Sequence, residues 1–121
     1  MNNNKTILAV DDTVENLDFL CAILRKQYRI LTSSNGEDAL ILAEKETPDL
    51  ILLDIEMPVM DGFEVCKALK ANDKTKDIPI IFIFGIGSEP YRKECMQLGA
   101  VNYISKPFSL DNLRRTIEKN I

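Results

Sequence analysis

Three short, largely apolar runs, Thr6 to Val10, Leu50 to Leu53 and Ile80 to Phe84, constrain this chain more than any other feature. A strand whose residues are apolar at consecutive positions has no face to offer to water, so it must be covered on both sides. Arg29 to Thr32 and Asn102 to Ile104 are weaker strand candidates. Between the runs lie segments of helical period: Leu17, Leu20, Cys21 and Leu24; Ala39, Leu40 and Ala43; Phe63, Cys66 and Leu69; Tyr91, Cys95 and Leu98; Leu110, Leu113 and Ile117. Each set recurs at three- and four-residue steps, which makes one apolar stripe on a helix. Strand and helix therefore alternate five times. With short connections, this predicts an α/β fold in which a five-stranded parallel sheet is doubly wound by helices, a flavodoxin-like (βα)5 arrangement.

Punctuation supports these boundaries. Asp12 or Thr13 suits the start of the first helix, Pro48 follows the second, Gly99 follows the fourth, and Ser109 with Asp111 suits the start of the fifth. The 121 residues are expected to form one domain, with residues 1–4 a disordered polar tail. The opening MNNNK lacks the apolar core of a signal peptide, and no apolar run approaches the roughly 20 residues that span a bilayer. A cytoplasmic protein without membrane contact is expected. At a net charge of −4 and without a dominant basic cluster, direct nucleic-acid binding is not expected either. Cys21, Cys66 and Cys95 lack the paired spacing of a zinc or redox site and read as buried helix thiols. The chain has no histidine, which excludes a histidine nucleophile, a histidine base and imidazole metal ligation.

In an open parallel sheet the functional crevice lies beyond the carboxyl ends of the strands. Asp11 and Asp12 end the first run, Asp54 ends the second, and Lys106 follows the last strand candidate. Each aspartate alone could be a helix cap or a turn residue. Three carboxylates crowded into one pocket repel each other unless they share a cation, and magnesium suits a few carboxylates, a carbonyl and waters. Lys106 would add a fixed positive charge beside them.

VDD at 10–12, LLDIEMPVMDG at 52–62 and KPF at 106–108, with their spacing, resemble the receiver domain of two-component response regulators over essentially the whole chain. The resemblance implies that Asp54 takes a phosphoryl group from a phosphohistidine on a partner histidine kinase or phosphotransfer protein, forming an acyl phosphate. It implies that Asp12 ligates Mg2+ directly, Asp11 acts largely through water, and the Glu56 backbone carbonyl adds a ligand. Lys106 would pair with the phosphoryl oxygens, and Pro107 would follow a cis peptide bond, a state accessible to proline. Pro58 and Gly62 would set the geometry of the intervening loop, with Met57 and Met60 at the pocket rim. Such a chain is a phosphoacceptor rather than an enzyme with a substrate of its own. It signals to a downstream target or output domain, and ending at Ile121 it reads as either a free-standing regulator or a piece of a larger protein. The fourth helix, last strand and fifth helix, with Tyr91, Tyr103 and Phe108, would form a surface for partners or for a homodimer.

One position departs from the pattern. Phe84 stands where receivers carry threonine or serine, with Gly85 following. Loss of a hydrogen bond to a charged phosphoryl oxygen costs roughly 1.5–3 kcal/mol, which phosphorylation can survive. The resemblance implies that, when that hydroxyl bonds the phosphoryl group, Tyr103 on the last strand turns inward; the added bulk of Phe84 costs about 1–3 kcal/mol in a packed interior and is expected to block that turn. Phe84 is therefore expected to uncouple phosphate acceptance from movement of Tyr103. The alternative is that Phe84 packs outward or into the core while Ser88 supplies the hydroxyl. Two rival functions stay open: a phosphorylation-independent interaction module, supported by Phe84, and a metal-dependent phosphohydrolase, for which Glu56 would have to activate water.

Overall fold

The structure is a computed structural model that describes residues 5–85 and 91–121. Strands β1 (Thr6–Val10), β2 (Arg29–Ser33), β3 (Leu50–Asp54), β4 (Ile80–Phe84) and β5 (Asn102–Ser105) alternate with helices α1 (Val14–Leu24), α2 (Gly36–Glu46), α3 (Gly62–Lys70), α4 (Tyr91–Gln97) and α5 (Leu110–Asn120). The strands form one parallel sheet in the order β2-β1-β3-β4-β5. This is the doubly wound, flavodoxin-like arrangement expected from the alternation. The chain winds outward in opposite directions from β1 and β3, and that reversal opens a crevice at their carboxyl ends.

Period-two alternation divides the buried strand residues between two cores. Ile7, Ala9, Leu52, Ile81, Ile83 and Ile104 pack with α1 and α5 through Leu17, Leu20, Leu113 and Ile117. Leu8, Val10, Ile51, Leu53, Phe82 and Phe84 pack with α2, α3 and α4 through Ala39, Val65, Cys66 and Cys95. Burying an aliphatic or phenyl side chain of this size contributes about 1.5–3 kcal/mol, so the three apolar runs anchor both layers. The weaker runs became the edge strands β2 and β5, which are only partly buried and need less apolar sequence.

Local chemistry sets the helix ends. Asn35 caps α2 by accepting from Asp38 N–H at 2.8 Å, and Ser109 caps α5 by accepting from Asn112 N–H at 3.0 Å. Asp61 and Glu64 form a reciprocal capping box on α3. Helix α1 differs from expectation. Thr13 occupies its N-cap without a side-chain cap, and the carboxylate of Asp11 accepts the Thr13 N–H at 2.9 Å instead. Cys66 and Cys95 are buried as expected, and burial raises both thiol pKa values, that of Cys95 to about 11. Cys21 is a correction: it lies on the flank of the α1 stripe and is only half-buried. The expected tail at residues 1–4 and the proposed substitute hydroxyl of Ser88 lie outside the described residues. Among the described residues, no helix is long and apolar enough to cross a membrane.

Candidate phosphoacceptor and metal site

The parallel register pairs Val10 of β1 with Leu53 of β3, so the next residues, Asp11 and Asp54, emerge side by side. Their parity points them to the α1/α5 side of the sheet, and Lys106 leaves the end of β5 with the same parity. The carboxylates of Asp11, Asp12 and Asp54 offer ligand atoms that all lie within 4.8 Å of one another. Asp11 is 4% exposed, Asp54 half-buried and Asp12 open to solvent. At about 4 Å and an effective dielectric near 20, two like charges repel by about 4 kcal/mol. Lys106 is the nearby counter-charge, its Nζ 3.7 Å from Asp11 Oδ2, and one lysine does not neutralise three carboxylates. The deficit suits a hard divalent cation held by oxygen ligands, and the donor set present, three converging carboxylates, fits magnesium.

Asp54 registers this imbalance. Burial first, then the charge of Asp11 and, less, that of Asp12 push its pKa up, Lys106 and the Ile55 backbone N–H pull it down, and the balance raises it from 3.8 to about 7. A cation would reverse that by favouring the ionised form. Asp11 is firmly held. Its Oδ1 accepts from Thr13 N–H at 2.9 Å, and its Oδ2 accepts from Asn16 Nδ2 at 3.1 Å.

The loop from β3 to α3 is shaped by contacts that tolerate little change. Gly62 N–H donates to Ile55 O at 2.8 Å, and a Cβ at Gly62 would clash with the Asp54 carbonyl oxygen and meet Ile55 Cα at 2.8 Å. Only glycine fits there, because main-chain atoms cannot yield as a flexible side chain can. Met60 N–H donates to Pro58 O at 2.8 Å, and between them Val59 takes φ 70° while standing 96% exposed. A β-branched residue in the left-handed region is strained, and nothing in its exposed position repays it by packing. Glu56 and Pro58 are exposed on this loop, whereas Met57 is buried in the core beneath it. The Lys106–Pro107 peptide is cis.

Phe84 does not wall the acidic crevice. Alternation along β4 sends Ile83 toward α1 and α5, and Phe84 to the opposite core, where it is 2% exposed. Its ring stacks on Tyr103 with centroids 5.6 Å apart and planes 19° from parallel. The Arg92 guanidinium lies over the other partner of the stack, 5.4 Å from the Tyr103 ring centroid. Phe84 still serves the site through its backbone, since its carbonyl accepts the Lys106 N–H at 2.7 Å. One further placement differs from expectation. Phe108 packs on the α1 side, its ring centroid 6.5 Å from Phe19, rather than on the fourth-helix face. Tyr91 makes an edge contact with Phe63 at 5.4 Å.

Sequence reasoning did not single out Asn16 or Phe19. Both lie on the first two turns of α1 and line a cleft of about 270 Å3 with Asp11, Ile83, Lys106, Pro107 and Phe108. The three-residue step from Asn16 to Phe19 beside the acidic pair was the available signal, but helical spacing alone does not say which face a side chain shares with a strand end.

The family model of the response regulator receiver domain matches residues 7–118. The sporulation initiation phosphotransferase F of Bacillus subtilis is 36% identical over 117 residues, covering 96% of this chain and 93% of that protein. A probable cyclic di-GMP phosphodiesterase of Vibrio cholerae is 38% identical over 116 residues, yet the match spans only 26% of its length. Other curated relatives are likewise longer, the chain spanning 8% of a Formosa agariphila histidine kinase and 47% of a Porphyra purpurea probable transcriptional regulator. Among solved structures, the chemotaxis protein CheY4 of Vibrio cholerae superposes with a TM-score of 0.91 at 31% identity, covering 98% of this chain and all of that one. The receiver domain of a Pseudomonas aeruginosa sensor histidine kinase, solved with a magnesium ion in its active site cleft, gives 0.88 at 30% identity, covering 98% of each chain.

Proposed function

The chain belongs to the family of response regulator receiver domains, and we propose from that premise that it takes a phosphoryl group onto Asp54 from a phosphohistidine of a partner histidine kinase or phosphotransfer protein. The observation that carries this reading is the convergence of Asp11, Asp12 and Asp54 within 4.8 Å, beside Lys106. Transfer breaks the P–N bond of the donor and forms a P–O bond to an Asp54 carboxylate oxygen, giving an acyl phosphate. Such a step asks little covalent work of the protein beyond an in-line nucleophile and stabilisation of spread negative charge. Asp11, Asp12, Asp54 and the Glu56 carbonyl would hold magnesium, which would supply charge neutralisation at the transferring group. Lys106 supplies a second cation, and the bond from its N–H to Phe84 O keeps it at the pocket.

Phe84 alters the response to the bound phosphoryl group. Phe84 itself brings no hydroxyl to the end of β4, and Tyr103 is already stacked on the buried phenyl ring. Phosphorylation is therefore not transmitted by an inward turn of Tyr103. The signal passes to a downstream target or output domain by another rearrangement, and the exposed Met96, Val101 and Leu110 on and around α4, β5 and α5 offer a surface for that partner or for a homodimer. A phosphorylation-independent docking module is the second reading, favoured by the same missing hydroxyl.

Intact mass after incubation with magnesium and a small acyl phosphate separates the two. A phosphoryl adduct on the wild type, absent from Asp54→Asn, supports the phosphoacceptor. A folded, magnesium-binding wild type that takes no adduct from the small donor or from a phosphohistidine protein contradicts it.

A further inference from the structure

Asp11 is the most enclosed of the three site carboxylates, and its orientation is set by a short list of partners. Oδ1 accepts the Thr13 N–H at 2.9 Å, so that oxygen is fixed by the backbone at the start of α1. Among the described residues, Oδ2 has two neighbours: Asn16 Nδ2 at 3.1 Å, which is within hydrogen-bond range, and Lys106 Nζ at 3.7 Å, which is beyond it. The amide of Asn16 is thus the side-chain group that holds the plane of the Asp11 carboxylate, while the lysine stands off.

We propose that Asn16 is a positioning residue for the phosphoacceptor site, orienting Asp11 toward the cation and occupying Oδ2 so that Lys106 stays available to the phosphoryl group. The inference rests on the receiver reading above and adds a residue to it. Three features support it. Asn16 lies in the first turn of α1, whose start is itself fixed by Asp11 through Thr13, so donor and acceptor are mutually registered. Asn16 and Lys106 line the same cleft beside Asp11, placing both donors on one carboxylate without an intervening wall. An uncharged amide donor stabilises the carboxylate orientation without adding a charge that would compete with a metal ion, which a lysine or arginine there would do. Without Asn16, the attraction between Lys106 and Oδ2 is unopposed, and the ion pair closes from its present 3.7 Å at the expense of both tasks.

Hydrogen-bond partners of ligating groups commonly change metal affinity by about 10–100-fold when removed. The test is magnesium titration of the full chain by calorimetry, or by NMR shifts where binding is weak, in Asn16→Leu and in the smaller Asn16→Ser. Denaturant unfolding of the metal-free variants runs in parallel. A loss of about tenfold in magnesium affinity is expected for both variants. In an Asp11→Asn background the same substitutions should cost no further affinity, because the oriented carboxylate is already gone. A purely structural role would lower affinity equally in both backgrounds, and that result overturns the proposal, as does unchanged affinity in either folded single variant. A wild type that binds no magnesium would instead bring down the receiver reading on which the proposal stands.

Discussion

Strands β3 and β4 lie side by side, paired through Asp54 and Ile83, yet the first ends in a half-buried carboxylate and the second in a phenyl ring that is 2% exposed. The carboxylate end is electrostatically incomplete. Its acids crowd within 4.8 Å and burial holds the Asp54 pKa near 7, so the fold at this end is built to be finished by a ligand. The phenyl end is complete in itself. Phe84 has its core neighbours, its stack on Tyr103 and the Arg92 guanidinium beyond, all within the chain. Adjacent strand ends can thus be assigned to different tasks, one to binding and one to rigidity, because alternation turns their side chains to opposite faces of the sheet.

Phe84→Ala is the strongest way to break that contrast. Removing a fully buried ring costs about 3–5 kcal/mol, read from urea unfolding, while the magnesium affinity of the folded protein stays unchanged. A collapse of magnesium affinity in the folded variant would show that the two ends are not separate. The opposite intervention, Asp54→Asn, should stabilise the metal-free protein at pH 8. With the folded pKa raised to about 7 against 3.8, the folded state binds the extra proton, so stability falls as pH rises from about 4 to 7 and the penalty is full above that. After discounting for partial solvent access, the gain at pH 8 is about 1–2 kcal/mol. The two proteins converge near pH 4, and thermal melts without metal across that range check the crossover. Magnesium should then favour the wild type. The smallest effect belongs to the loop beside the acids. Val59→Asn, better suited to φ 70°, should gain about 1 kcal/mol in the same unfolding assay without changing the core.

Much of this contrast was legible in the sequence. The bounds of β1 and β4 follow from their unbroken apolar runs, and Asp11, Asp12, Asp54 and Lys106 announce themselves as charges at run ends. Strands β2, β3 and β5 each run one residue beyond the expected segment, because each ends in a polar residue, Ser33, Asp54 or Ser105, that carries no apolar signal. The direction of Phe84 was the larger gap. A residue at a strand end can continue the alternation or turn over the crevice, and the choice depends on Tyr103, one strand away. Phe108 joined Phe19 because the chain after Pro107 crosses toward α1, a turn that composition does not encode. Asn16 escaped notice because its task is to hold another side chain, and polar residues in the first turn of a helix are common without one.

The most direct measurement is a crystal structure of the wild type with magnesium and trifluoroberyllate as a phosphoryl mimic at Asp54. The account predicts the mimic bound beside Lys106, with Tyr103 still stacked on Phe84 as in the free protein. A Tyr103 ring turned inward toward the mimic, with the stack broken, would contradict the separation of phosphate acceptance from aromatic switching.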